Sequence, residues 1–163
     1  MTEFLAAVHA SRKLHRPWVT PPDTPTKYSH WLERLTDPRS TSFLVRRRDD
    51  HALAGVINIS EIVRGIFQSA YLGYYSFAPH HGQGLMSEGL AQVLTRAFIR
   101  LRLHRLEANI QPDNTASLAL VRRLGFRLEG YSPRYLKLGG QWRDHQRWAI
   151  TREEWAGRRR ATE

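Results

Sequence analysis

Between Leu90 and Leu101 the apolar positions Leu90, Val93, Leu94, Ala97, Phe98 and Leu101 recur three and four residues apart. That single stripe predicts an amphipathic helix. Near the start, Phe4, Leu5 and Val8 lie on one side of a helix expected over Phe4–His15. Four prolines between Pro17 and Pro25 predict a loop. Thr24 can then cap a second helix with Tyr28, Trp31, Leu32 and Leu35 inward, and Pro38 follows its end. Strand patterns come next. Ser42–Arg47 is short, and Asp49-Asp50-His51 turns the chain into Leu53–Val63. Arg64-Gly65 reads as a two-residue hairpin loop, with Ile66–Phe77 returning antiparallel. After Pro79 a glycine-rich loop feeds the striped helix, and Arg105–Gln111 follows as a strand. Pro112-Asp113-Asn114 opens a short helix that stops at Gly125, where helix ends favour glycine. Phe126–Leu138 and Gln141–Thr151 form a last hairpin around Gly139-Gly140. The order α-α-β-β-β-α-β-α-β-β predicts an α/β (α+β) domain with a mixed, mostly antiparallel sheet flanked by helices.

Composition narrows the class. With 163 residues and 41% hydrophobic content, one domain over 1–163 with one core is expected, and 156–163 is expected as a tail. No apolar run approaches the roughly 18 residues of a membrane span. Met1-Thr2-Glu3-Phe4 lacks the basic and apolar regions of a signal peptide, so a cytoplasmic location is expected. The absence of cysteine excludes disulfides, thiolate–zinc sites and a cysteine nucleophile, and no metal site is expected. The formal charge of +10 comes almost wholly from arginine, since lysine occurs only at Lys13, Lys27 and Lys137. Such a surface suits nucleic acid, anionic cofactors or acidic protein segments. The clusters Arg46-Arg47-Arg48 and Arg158-Arg159-Arg160 are too short to decide among these.

Two segments carry chemistry. His80-His81-Gly82-Gln83-Gly84-Leu85-Met86-Ser87-Glu88 lies between a strand and the start of a helix. The first helical amides have no internal partner, the helix dipole adds positive charge there, and glycine admits close approach, so this is an anion site. It is neither a Walker loop, lacking Gly-Lys-Ser/Thr, nor a Rossmann fingerprint, since its neighbours read as hairpins. The second segment runs from Asn114-Thr115-Ala116-Ser117 to Leu124-Gly125-Phe126, with Asn114 a natural cap.

Together these segments resemble the GNAT superfamily of N-acetyltransferases. His81-x-x-Gly84 is similar to its acetyl-CoA loop, and Asn114, Ser117 and Gly125-Phe126 to the helix motif that follows. Three stretches resemble the RimJ/RimL-like branch that acetylates ribosomal-protein alanine termini: Val63–Tyr74, Gly82–Met86 and Glu129–His145. The likeness spans about residues 53–151. It implies acetyl-CoA as cofactor, and a protein N-terminus, a ribosomal protein included, as partner. It implies that Ser76, Phe77 and Ala78 hold the pantetheine arm. His81, Gly82, Gln83, Gly84, Leu85, Met86 and Ser87 would hold the pyrophosphate, largely through backbone amides. Asn109, Asn114 and Ser117 would line the thioester end. The chain departs from the pattern in three ways. His81 stands where Gln or Arg is usual, Val121 where many relatives carry a tyrosine acid, and no counterpart of the family's first strand precedes Phe4.

In the resembled family the amine attacks the thioester directly in a ternary complex. Ser117 is the expected donor to the leaving sulfur, and a backbone N–H near Phe77 the expected oxyanion partner. Glu107 shares a strand face with Asn109 and could hold a water to the amine. Glu61 could hold the incoming ammonium, and Tyr131 and Tyr135 could wall the acceptor pocket. His80 and His81 sit at the phosphate end, Glu88 suits the first helical turn, and Trp18, Trp142 and Trp148 read as core or rim. The base, the acceptor and the oligomeric state, a dimer included, stay open. A small amine such as an amino acid, polyamine or aminoglycoside is the alternative acceptor. A non-catalytic RNA- or ribosome-binding module is the alternative on the same fold.

Overall fold

The computed structural model describes residues 1–160, apart from the side chains of residues 159 and 160. Its elements are α1 (Thr2–Ala10), α2 (Arg12–His15), α3 (Pro25–Arg34), β1 (Thr41–Arg46), β2 (Leu53–Val63), β3 (Ser69–Ser76), α4 (Leu85–Ile99), β4 (Arg105–Ile110), α5 (Thr115–Arg123), β5 (Arg127–Leu138), β6 (Gln141–Thr151) and α6 (Arg152–Arg160). One six-stranded sheet runs β1-β2-β3-β4-β6-β5, antiparallel throughout except between β3 and β4. The helix α4 supplies the crossover that this parallel pair needs. β1 forms one edge of the sheet.

The α4 stripe is buried as its spacing predicts. Leu90, Leu94 and Ala97 are fully covered and pack with Ile57, Ile59, Leu106 and Ile150 from the sheet. Leu118 and Val121 of α5 and Trp155 of α6 complete this layer. On the other face Phe4, Val8 and Trp31 from α1 and α3 cover Val56, Tyr75 and Phe77. That second layer therefore sits over β2 and β3. Tyr71 on β3 and Tyr131 on β5 stay exposed.

Four local expectations differ from the structure. Leu32, expected inward on the helix capped by Thr24, is 44% exposed. The first helix breaks at Ser11, whose buried hydroxyl donates to the Ala7 carbonyl at 2.7 Å and accepts from the Ala78 amide at 2.9 Å. A long-range bond thus decides the break. The two-residue hairpin at Arg64-Gly65 is a five-residue connection over 64–68. β2 ends at Val63 as expected, but β3 starts only at Ser69, because the Gln68 carbonyl is drawn away to the amides of His104 and Arg105. The helix α6 was not expected. It overlaps the expected 156–163 tail, of which 161–163 lie outside the described residues. Trp155 anchors it, 8% exposed, with Nε1 donating to Thr95 Oγ1 at 3.1 Å. The Arg158 guanidinium also donates to the Arg123 carbonyl.

Candidate active site

The parallel pair β3–β4 is the feature that opens the sheet. Its register runs from Ser69↔Arg105 to Leu72↔Ala108 and then stops. Beyond it, Gly73–Ser76 stay paired with β2 while Asn109 and Ile110 stay paired with β6, so the two strands diverge. A cavity of about 830 Å³ fills the gap. Gly73, Tyr74, Tyr75 and Ser76 form one wall and Ala108, Asn109, Ile110 and Gln111 the other. A strand edge without a partner presents main-chain donors and acceptors that need one.

The glycine-rich loop closes one end of this cavity. Gly82, Gly84, Leu85, Met86 and Ser87 line it, while His81 and Gln83 do not. Gly84 is the N-cap of α4 at φ +82°, and no side chain caps the helix. A Cβ placed at Gly82 or Gly84 would meet no atom within 4 Å, so space lies open before both. Open space, uncapped amides and a positive helix end together fit a phosphate group. The Ser87 amide is already bonded to the Gly84 carbonyl at 2.9 Å, which leaves the amides of Leu85 and Met86 without a partner among the described residues.

The other end brings together Asn109, Asn114 and Ser117. Asn114 caps α5 through its side chain, accepting from the Ser117 amide at 3.2 Å. That bond fixes Ser117 on the first turn, facing the cavity. The Ser117 hydroxyl meets the Tyr74 hydroxyl at 2.7 Å. Burial pushes the Tyr74 phenol up to about 12, so it stays protonated at neutral pH and can donate to Ser117 Oγ. The Ser117 proton is then left for the cavity. The Asn109 Oδ1 atom is buried and has no hydrogen-bond partner among the described residues. An orphaned acceptor on a cavity wall calls for a donor from a ligand.

The family follows from comparison with known proteins. The family model described as Acetyltransferase (GNAT) domain matches residues 2–127. The chain belongs to the GNAT family of acetyltransferases. It is 35% identical over 124 residues to the probable N-acetyltransferase YjcK of Bacillus subtilis, covering 76% of this chain and 68% of that one. It is 42% identical over 107 residues to the [Ribosomal protein uS5]-alanine N-acetyltransferase of Escherichia coli. That match covers 66% of this chain and spans only 55% of the relative's length. The structure of Mycobacterium smegmatis RimJ in complex with CoA-disulfide superposes with a TM-score of 0.87 at 29% identity, covering 99% of this chain and 83% of that one. GNAT enzymes are N-acetyltransferases that use acetyl-CoA, and the opened sheet with its glycine loop fits that group.

Not every residue singled out in the sequence reaches the GNAT cavity. Ser76 does, but Phe77 is wholly buried and Ala78 lies outside the lining. Their backbone is also engaged: the Phe77 amide bonds the Ala54 carbonyl at 2.8 Å, and the Ala78 amide bonds Ser11. The open edge therefore runs through Gly73–Ser76 rather than 76–78. Glu61 and Tyr135 line the cavity. Tyr131 does not, and its hydroxyl donates to the Asp144 carboxylate. Glu107 does share a face with Asn109, but it lies outside the lining and is paired to Arg105 at 3.0 Å. The same arginine bonds Glu129, whose carboxyl it holds down at about 2 with help from Arg127. Trp18 reaches the cavity, Trp148 is core, and Trp142 is 60% exposed.

Tyr74, His15, Arg123 and His145 also line the cavity and had no expected role there. Tyr74 could have been found only by knowing that α5 lands on β3. His145 stood inside the Glu129–His145 stretch without being given a function.

Proposed function

We propose that this GNAT enzyme transfers acetyl from acetyl-CoA to the N-terminal amine of a polypeptide, a ribosomal protein being the favoured class. The divergence of β3 from β4 after Leu72↔Ala108 carries the reading, because it opens a groove from the α4 amides to the Ser117 hydroxyl. The amides of Leu85 and Met86 would bind the pyrophosphate, and the free edge of β3 over Gly73–Ser76 the pantetheine arm. Bound acetyl-CoA supplies an acetyl group activated as a thioester. Asn109 Oδ1 accepts an N–H of the amine, and Ser117 offers its proton to the sulfur. Glu61 draws the ammonium toward the mouth.

Two features support a polypeptide over a small polycation. Glu61 is the one carboxylate among the described residues lining the cavity, which gives a diamine or polyamine little to bind. The lining also includes Ser60 and Glu61 of β2 and Tyr135, Leu136 and Leu138 of β5. In the connection after β2, Ile66 and Phe67 are exposed at 97% and 65%, and on β6, paired with β5, Trp142 is exposed at 60%, apolar surface that a peptide could cover. The 42% identity to an enzyme named for ribosomal protein uS5 alanine points the same way.

Thiol release from acetyl-CoA, measured across N-terminal peptides and small amines, tests the reading. Turnover with alanine-terminated peptides and little with polyamines is the expected result; the reverse order would overturn the acceptor class. Ser117→Ala should lower kcat by about 10- to 100-fold, the loss of one hydrogen bond of roughly 1.5–3 kcal/mol to developing charge. Acetyl-CoA affinity should stay close to wild type. Tyr74→Phe should reproduce part of this loss through the unanchored Ser117 hydroxyl. Unchanged kcat in Ser117→Ala would remove the serine from the leaving-group role.

A further inference from the structure

The amine that attacks must first lose a proton, and the two carboxylates singled out in the sequence are poorly placed to take it. Glu107 is held by Arg105 outside the cavity lining, and Glu61 is exposed on β2 at the mouth. A third group meets the requirements. His145 on β6 lines the cavity while the residue as a whole is only 2% exposed. Its Nδ1 lies 2.9 Å from the Arg143 carbonyl oxygen. A carbonyl can only accept, so Nδ1 carries the proton and donates it, and in the neutral ring Nε2 keeps a lone pair. The ring is braced edge-on by Tyr135, with centroids 6.2 Å apart.

We infer that His145 Nε2 is the general base that takes the proton from the acceptor amine. Sheet register places it correctly. Asn109 pairs with Arg147, so His145, two residues away on the same strand face, is the diagonal neighbour of Asn109. Diagonal pairs in an antiparallel sheet stand roughly 7–8 Å apart, room for one nitrogen between the two side chains. The orphaned Asn109 Oδ1 takes one N–H, and the imidazole takes the proton that must leave.

The surroundings favour the neutral ring. Burial lowers the His145 pKa below its usual value, while the Arg143 carbonyl and the Asp144 charge oppose the shift. Asp144 is itself occupied by the Tyr131 hydroxyl and the Arg134 amide. Arg147 shares the strand face, Asn109 and Tyr135 on the flanking strands are uncharged, and the Tyr71 phenol on β3 is pushed up, by partial desolvation first. Glu61 at the mouth is the cavity's remaining carboxylate among the described residues.

The step balances within the proposed transfer, on which this inference rests. The ammonium gives one proton to His145, and the freed lone pair forms the C–N bond as the C–S bond breaks. The nitrogen's second proton leaves as the amide forms. Of the two protons lost, one ends on sulfur, delivered through Ser117, and the other passes from His145 to solvent.

The base is active when neutral. Wild-type kcat should therefore be flat near neutrality and fall at acid pH through a group below about 6.5. His145→Gln, which can still donate to the Arg143 carbonyl, should lower kcat by about 100-fold or more. It should also lose the acid limb and gain rate with rising pH, while the acetyl-CoA Kd and the unfolding midpoint stay at wild-type values. Wild-type kcat with the acid limb intact in His145→Gln would overturn the inference. Nitrogen-15 NMR of the imidazole in the wild-type chain gives a readout without turnover. Nδ1 protonated, Nε2 bare and a pKa below about 6.5 are expected; the opposite tautomer, or a pKa above about 7, sinks the assignment. Failure of the wild type to release thiol with any amine would instead reject the acetyl-transfer reading itself.

Discussion

Gly84→Glu should weaken acetyl-CoA binding by about 100-fold or more, a loss of at least ~2.7 kcal/mol. Two causes act together. Gly84 sits at φ +82° at the head of α4, a conformation that costs an L-residue roughly 1–2 kcal/mol. Its missing side chain also faces open space beside the amides of Leu85 and Met86. A carboxylate there meets phosphate charge at close range, worth about 1 kcal/mol in bulk water and about 4 at an effective dielectric of 20. Gly84→Ala separates the two, since it carries the strain without the charge, and its loss should be the smaller. Calorimetric titration of acetyl-CoA into both variants checks this, with thermal unfolding confirming that α4 still forms. Wild-type affinity in Gly84→Glu would move the pyrophosphate elsewhere.

Phe77→Ala should cost about 3–5 kcal/mol of folding stability, the range for emptying a buried aromatic site. Phe77 is wholly buried, with ring centroids 5.7 Å from Phe4, 5.7 Å from His15 and 5.6 Å from Tyr75. It is thus the residue through which α1, α2 and β3 share one small core. A gap there also slackens the segment held by the Ser11–Ala78 bond and by His15 Nε2 donating to the Ser76 carbonyl at 2.8 Å. Reduced acetyl-CoA affinity should therefore accompany the loss. Urea unfolding measures the first effect. A change under about 1 kcal/mol would show that the second core relaxes around the missing ring.

The helix α4 and the last hairpin were legible because their signals are local. The Leu90–Leu101 stripe needs only a sheet to lie against, and Gly139-Gly140 turns the chain whatever surrounds it. The helix α5 was legible for the same reason, with Asn114 capping it and Gly125 following its end at φ +84°. The 64–68 connection and the Ser11 break were not. Each is set by hydrogen bonds to residues distant in sequence, Gln68 to His104 and Ser11 to Ala78. Helix α6 was missed because its short charged sequence carries one apolar anchor, Trp155, whose partner Thr95 lies on another element.

The candidate site divides in the same way. The sequence by itself determined the glycine loop that opens α4 and the Asn114–Ser117 turn, because helix ends and caps are written in consecutive residues. It also marked Asn109 and Glu107 as sharing one strand face, since alternation is a property of any strand. Only the tertiary structure decided what those residues can do. It tied Glu107 to Arg105, placed Tyr74 against the Ser117 hydroxyl, and set His145 diagonally from Asn109 with its Nδ1 at the Arg143 carbonyl. Those outcomes depend on strand register and on how α5 docks. Register and docking are fixed by the burial of whole faces, not by any residue's immediate neighbours in the chain.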